Sequence, residues 1–180
     1  MPKSKRQSKA QPTWADVKAK LAGFDRAGLL GLIQNLYAAN QDNQVFLHTR
    51  FELGEDVLEP YKKEIDRWIS PDVYRNQRPS VSRGKQAISD YKKAGGSPER
   101  TAELMIFYCE LASAFIADFG EDDSTYINSL LNTFEQALKI VQALPDNVRD
   151  AFIARLDHVR TVSHRFGYGI ADVMDDLLAE

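Results

Sequence analysis

Apolar residues recur every three or four positions along most of the chain, which is the period of an amphipathic helix. Residues such as Leu58, Tyr61 and Ile65 follow this spacing, with Lys and Glu on the opposite face. Alternation of apolar and polar residues, which marks a strand, never extends beyond four residues. The pattern therefore predicts an all-α fold, arranged as a compact bundle or a short solenoid of antiparallel helix pairs with seven to nine helices.

Capping and breaking residues divide this pattern into separate helices. Thr13 can begin a first short helix, a longer one follows from about Arg26, and a third around Val45 ends near Gly54. The later predicted helices span residues 57–68, 81–94, 98–119, about 124–141, 146–163 and about 170–178. Residues 70–82 contain prolines and no apolar period, so they are predicted to form a surface loop.

The best-specified boundary is the sequence Ser97-Pro98-Glu99. A serine caps the helix, proline follows where its missing N–H is not needed, and an acid interacts favourably with the helix dipole. The helix that begins here is apolar on almost every side until Gly120. We expect it to lie at the centre of the domain.

Length and composition fit one globular domain over residues 13–180, since 43% of the 180 residues are hydrophobic and 27% are charged. Residues 1–12 are basic and polar and are predicted to be a disordered tail. No segment approaches the ~20 uncharged apolar residues of a membrane span. The basic N-terminus is not followed by the apolar segment of a secretory signal. We therefore expect a cytoplasmic protein with no membrane partner.

The formal net charge of −3 conceals a division along the chain. Residues 1–97 carry 17 Lys and Arg against 11 Asp and Glu, whereas residues 98–180 carry 6 against 15. If the N-terminal helices are grouped in space, they present a positive field that attracts anions. The same division allows self-association, in which the basic half of one copy meets the acidic half of another.

Basic residues are concentrated between positions 61 and 93, where nine of them outnumber four acidic residues and are interleaved with aromatic ones. Such a stretch is typical of solvated helix faces, and also of a surface that contacts an acidic protein or a nucleic acid. The candidate residues for binding an anion or a partner are Lys62, Lys63, Arg67, Arg75, Arg78, Arg83, Lys85, Lys92 and Lys93.

The sequence has no catalytic signature, since it lacks a glycine-rich phosphate loop, a dinucleotide fingerprint and a nucleophile elbow. The lone Cys109 excludes an internal disulfide and a cysteine zinc site, and it is expected to pack inside an apolar helix. His158 and His164 are six residues apart and do not share a helix face, so no metal site is predicted. Glu110 is expected to find a partner for structural pairing.

These observations favour a non-enzymatic protein-interaction or adaptor module that needs no cofactor. The alternative is a nucleic-acid-binding accessory protein that uses the basic surface between residues 62 and 93. The acidic cluster 121–123 is interpreted as the start of a helix, because acids there complement the helix dipole.

Several segments resemble a family of uncharacterised bacterial all-helical proteins, described as a domain of unknown function. The resemblance covers about residues 15–175 and rests on PYKKEI at 60–65, KQAISDYKK at 85–93, and residues 104–119 followed by 126–138. The helical pairs joined by the acidic turn at 122–124 are also similar to segments attached to SWIM-type zinc-finger proteins, although this sequence has no zinc ligands. The resemblance implies an all-helical fold and no particular activity.

Overall fold

The structure is a computed structural model that describes residues 11–167 and 169–179. Most of the predicted tail, residues 1–10, therefore lies outside the described residues. The described part contains no strand, and its α-helices are α1 Trp14–Leu21, α2 Arg26–Ala39, α3 Gln41–Arg50, α4 Glu59–Ile69, α5 Val81–Lys93, α6 Pro98–Phe119, α7 Ser124–Gln142, α8 Asp146–Ser163 and α9 Ile170–Ala179. The all-α prediction is confirmed.

The ends of α6 and the start of α7 follow the predicted capping signals. The Ser97 hydroxyl accepts a hydrogen bond from the backbone N–H of Arg100 at 3.3 Å. Gly120, with a φ of 69°, ends α6 in the left-handed conformation that favours glycine. The Asp123 carboxylate then accepts a hydrogen bond from the N–H of Tyr126 at 3.0 Å, so the acidic cluster does begin α7.

Part of the predicted loop at residues 70–82 is a short 3-10 helix, Val73–Arg75. The Asp72 side chain caps it by accepting a hydrogen bond from the N–H of Tyr74 at 3.0 Å. Asn76 ends it at a φ of 57°, a conformation that asparagine tolerates better than most residues. A single turn of this length has no apolar period, which is why the sequence pattern did not indicate it.

The chain divides into two compact units, Met1–Gln44 and Val45–Glu180. The first contains α1, α2 and the start of α3, and none of its described residues is buried. The second holds the hydrophobic core. The single domain predicted over residues 13–180 stays a prediction, and each unit is described by itself.

Helix α6 is central to the second unit, as its apolar surface predicts, because it contacts α4, α5, α7 and α8. It runs antiparallel to α7: Tyr108 in the middle of α6 contacts Ser129, whereas Phe115 nearer its end contacts Tyr126 near the start of α7. The fully buried side chains include Ile65, Leu104, Ile106, Leu130, Phe134, Leu156 and Met174. The second unit is therefore a bundle built around α6.

Polar groups inside this bundle have hydrogen-bond partners. The Tyr126 hydroxyl donates to the carbonyl oxygen of Ile69 at 2.7 Å, and the hydroxyls of Tyr108 and Ser129 lie 2.7 Å apart. Burial raises the pKa of Tyr108 to about 12. Among the described residues, no buried side-chain nitrogen or oxygen lacks a partner. None of the described helices is both long enough and apolar enough to cross a membrane.

Candidate functional site

Five of the nine predicted binding residues form ion pairs with carboxylates. The pairs are Lys62 with Glu103 at 2.6 Å, Lys63 with Glu59 at 3.1 Å, Arg67 with Glu64 at 3.7 Å, Arg75 with Asp72 at 3.3 Å, and Lys93 with Asp90 at 3.0 Å. Acidic and basic groups therefore alternate on this surface. An approaching polyanion would meet carboxylates as well as cations, which weakens its attraction.

Lys62 belongs to an ion network inside the second unit. Arg155 on α8 donates from Nε to Glu110 Oε1 at 2.7 Å and from Nη2 to Glu110 Oε2 at 2.8 Å, and it also contacts Glu103. Glu103 accepts a hydrogen bond from Lys62 at 2.6 Å. The predicted structural pairing of Glu110 is thus confirmed, and Lys62 belongs to the same network through Glu103.

The contacts in this network favour the charged forms of Glu103 and Arg155. Desolvation alone would raise the pKa of Glu103, but the hydrogen bonds from Arg155 and Lys62 outweigh it and leave the pKa below its ordinary value. The hydrogen bond to Glu110 raises the pKa of Arg155 against the effect of its own burial. The two-point contact between a guanidinium and a carboxylate is among the stronger hydrogen-bonded pairs in proteins.

Arg83 lies over an aromatic ring. Its guanidinium carbon is 4.1 Å from the centre of the Trp68 ring, and that of Arg67 is 5.0 Å away. The Trp68 Nε1 donates to Glu64 at 2.9 Å, which fixes the ring. This arrangement joins α4 to α5 by cation–π contact. Part of the predicted basic surface therefore supports helix packing.

Lys85 and Lys92 line a groove of about 280 Å³ between α5, α6 and α7. No salt bridge joins either lysine to a carboxylate in the described part of the chain. The other lining residues are Ile88, Ser89, Met105, Thr133 and Gln136. Positions 85, 89 and 92 share one face of α5 because they are spaced by four and three residues. The residues from α6 and α7 could not be assigned to this groove from sequence, since only the helix packing brings them together.

Arg78 lines a larger groove of about 710 Å³ at the junction of the 70–82 segment with α6 and α7. Its walls include Phe115, Phe119 and Tyr126, with Glu121 and Asp123 also present. Both acids accept local backbone hydrogen bonds, Glu121 from the N–H of residue 123 and Asp123 from that of Tyr126. The structure thus separates Arg78 from the groove that holds Lys85 and Lys92.

Cys109 and His164, considered as a possible nucleophile and a possible metal ligand, are both in contact with other residues of the bundle. Cys109 is fully buried, and burial raises the pKa of its thiol, which disfavours the reactive thiolate. His164 contacts Arg160 at 3.3 Å, and its Nε2 lies 3.6 Å from Asp175. Among the residues that the structure describes, no group of three or more His, Cys, Asp or Glu side chains is placed to hold a metal ion.

Comparison of the chain with protein-family models, with curated proteins and with solved structures gives no match. The resemblance to a bacterial all-helical family and to SWIM-associated segments therefore stays a prediction.

Proposed function

We propose that the chain is a non-enzymatic interaction module that binds an acidic segment of another protein through the groove containing Lys85 and Lys92. The observation that carries the proposal is that only some of the nine basic residues have a carboxylate partner. Five have carboxylate partners, whereas Lys85 and Lys92 meet in one groove and form no salt bridge with any described residue. Of the other two residues without a carboxylate partner, Arg83 lies over Trp68 and Arg78 lines a different groove, so Lys85 and Lys92 are the two that share one groove.

The groove has the chemistry of a site for carboxylates beside apolar groups. Ile88 and Met105 are buried and form the apolar base of the groove, while Ser89 and Gln136 offer neutral hydrogen-bond donors. Positions 85 and 92 are about 10 Å apart along the axis of α5, at 1.5 Å per residue. That separation suits two carboxylates on a partner better than one.

Protein is favoured over nucleic acid because carboxylates are interleaved with the cations on α4 and α5. A duplex needs several unpaired cations along its backbone, and its affinity depends on how many phosphates they neutralise. Here Glu64 and Asp90 lie within the same basic stretch and Glu59 lies just before it, each in an ion pair. A short acidic peptide can contact the groove without approaching them.

The non-enzymatic part of the proposal is supported by the positions of the reactive groups. Glu110 is paired with Arg155, and the thiol of Cys109 is buried. Neither side chain is placed to act as a general base or a nucleophile at an accessible site.

The test compares two double variants with the same change in charge. Lys85→Glu with Lys92→Glu alters the groove, and Lys63→Glu with Lys93→Glu alters two ion-paired lysines, one on α4 and one on α5. Fluorescence anisotropy with poly-L-glutamate and with a single-stranded oligonucleotide of equal charge measures both ligand classes. We expect the groove variant to bind poly-L-glutamate at least about tenfold more weakly, which corresponds to about 1.4 kcal/mol.

The control variant should retain most of the binding, and circular dichroism should show that both variants keep the wild-type helical content. Equal losses in the two variants would contradict the assignment to the groove. Tighter binding of the oligonucleotide than of poly-L-glutamate, with a steep dependence on salt, would favour the nucleic-acid alternative.

A further inference from the structure

The groove of about 710 Å³ that contains Arg78 has walls from two separate parts of the second unit. One wall is the 70–82 segment, which supplies Arg78 and Pro79. The other is the end of α6 and the start of α7, which supply Phe119 and Glu121. Small-molecule sites in proteins are concave and typically enclose about 300–1,000 Å³. The volume of this groove therefore fits a small ligand.

Aromatic side chains form the base of this groove and part of one wall. Phe115 and Tyr126 are each 2% exposed, so they belong to the base. Phe119 is 47% exposed, and its ring centre lies 5.0 Å from that of Phe115 and 6.5 Å from that of Tyr74. These neighbours hold the Phe119 ring in place, while its exposed surface is open to the apolar part of a ligand.

Arg78 is the cation of this groove, and its guanidinium has no carboxylate partner. Within the described ranges, no acidic side chain lies within salt-bridge distance of it, although Glu121 and Asp123 line the same groove. The nearby Arg75, by contrast, is paired with Asp72 at 3.3 Å. The hydrogen-bond donors of the Arg78 guanidinium are therefore available to a carboxylate of a ligand.

The acidic groups of the groove each keep one oxygen available. Glu121 Oε1 accepts a hydrogen bond from the N–H of Asp123 at 3.0 Å, which holds the two residues together. Asp123 Oδ1 accepts one from the N–H of Tyr126 at 3.0 Å. The second oxygen of each carboxylate accepts no hydrogen bond in the part of the chain that the structure describes. An ammonium group, which has three donors, is suited to such a pair.

We infer that this groove binds a small zwitterion with an aromatic body, the chemistry of an aromatic amino acid or of a short peptide that contains one. The carboxylate of the ligand pairs with Arg78, and its ammonium group pairs with Glu121 and Asp123. Its ring packs on Phe119. A ligand with only a negative charge would be repelled by two carboxylates, and one with only a positive charge would leave the guanidinium unpaired.

An NMR titration of the full chain tests the inference and locates the site, because the amides of Gln77, Ser82 and Thr125 lie at the groove. The zwitterions are L-phenylalanine and phenylalanyl-phenylalanine, and the tighter of the two identifies a free amino acid or a peptide as the ligand. Phenylpropionate lacks the ammonium group, phenethylamine lacks the carboxylate, and glycylglycine lacks the ring. We expect a zwitterion to bind with a dissociation constant of about 1 mM or below, and each analogue at least about tenfold more weakly.

Two variants with matched controls assign the charges. Arg78→Ala should weaken binding of the zwitterion at least about tenfold and leave phenethylamine unaffected, since only the contact with the carboxylate is lost. Its control is Arg75→Ala, which removes an ion-paired arginine three residues away. Glu121→Gln should weaken the zwitterion and phenethylamine but not phenylpropionate. Its control is Asp122→Asn, at an exposed position that does not line the groove.

Three results would overturn the inference. One is the absence of shifts at the groove with both zwitterions up to about 10 mM. Another is equal affinity for L-phenylalanine and either of its singly charged analogues, because the complementarity of charge would then not exist. The last is an equal effect of Arg78→Ala and Arg75→Ala in variants whose circular dichroism matches the wild type. None of these results depends on what the groove of Lys85 and Lys92 binds.

Discussion

At the scale of single residues, Arg155 joins more of the bundle than any neighbour in its network. It contacts Glu103 and Glu110 on α6 from its position on α8, and Glu103 extends the network to Lys62 on α4. Each carboxylate is mostly shielded from water, with 19% and 30% of the side chain exposed. Loss of the guanidinium would leave two poorly solvated negative charges near each other.

Replacing Arg155 by alanine should therefore lower the free energy of unfolding by about 1–3 kcal/mol. Arg155→Lys should lose part of this, because an ammonium keeps the charge but cannot hold both oxygens of Glu110 in a planar fork. Urea denaturation at neutral pH measures the difference. Arg165→Ala, at an exposed position, serves as the control and should change stability by less than about 0.5 kcal/mol. An equal effect of Arg155→Ala and Arg165→Ala would show that the network is not stabilising.

The pH dependence of stability should contain a contribution from Glu103. Its pKa in the folded chain lies below the ordinary value of 4.5, so near pH 4 the unfolded chain binds more protons than the folded one. The contribution is complete above the ordinary value and is lost as the pH falls through the lower folded pKa. Glu103→Gln should accordingly flatten the plot of urea midpoint against pH below about pH 5.

A matched comparison for this measurement is Glu99→Gln, which removes an exposed carboxylate from the first turn of the same helix. That variant should keep the wild-type slope below pH 5. If Glu103→Gln and Glu99→Gln change the slope alike, the slope does not come from the ion network.

Sequence reasoning at the residue scale identified Glu110 as needing a partner but not which partner. Arg155 lies 45 positions further along the chain, and only the packing of α8 on α6 brings the two together. For the same reason the sequence indicated nine candidate cations without distinguishing the paired from the unpaired ones. Lys62 is paired through Glu103, 41 positions away, which no local pattern signals.

At the scale of elements, close approach between helices depends on a glycine in α5. A Cβ added to Gly84 would lie 2.5 Å from Cδ1 of Ile69 on α4 and 3.3 Å from Cε2 of Tyr108 on α6. Ile69 and Tyr108 are both fully buried, so neither side chain has space to move away. The absence of a side chain at this position lets α5 pack against both helices.

Gly84→Ala should destabilise the chain by about 1–3 kcal/mol through overpacking, despite the better helix propensity of alanine. Gly31→Ala makes the same change in α2, where an added Cβ would meet nothing within 4 Å. It should be neutral or stabilising by up to about 1 kcal/mol. Thermal unfolding of the two variants side by side measures the contrast, and a stabilising Gly84→Ala would contradict the packing described for α5.

The helices themselves were well predicted, because period and capping are local properties of the sequence. The start of α6 at Ser97 and Pro98 and the full extent of α8 agree with the structure. The short 3-10 helix at Val73–Arg75 was missed, since one turn leaves no periodic signal. The groove with Lys85 and Lys92 could be predicted only in part, because α5 supplies both lysines but α6 and α7 supply other walls.

At the scale of the whole molecule, the described buried residues all belong to one of the two units. Every buried residue of the described chain lies in the unit that begins at Val45. The first unit has similar apolar periodicity, but none of its residues from 11 to 44 is buried. Periodicity predicts that a helix face prefers to be covered, but it does not say whether the same chain covers it.

Because Cys109 is buried, the rate at which a thiol reagent labels it can report opening motions of the folded chain. Its sulfur lies under the carbonyl of Leu130 at 4.0 Å, at the contact between α6 and α7. A thiol reagent can react only when that contact opens, so the rate of labelling under native conditions measures how often the centre of the bundle exposes itself. At low reagent concentration, the rate should be slower than that of a free thiol by a factor that reflects the free energy of opening.

Arg155→Ala should accelerate this labelling, whereas Arg165→Ala should leave it unchanged. If Cys109 instead reacts as fast in the folded protein as in urea, α6 and α7 do not protect it. Because the chain contains one cysteine, the measurement needs no engineered probe, and it applies in the same way to each variant that adds no second cysteine.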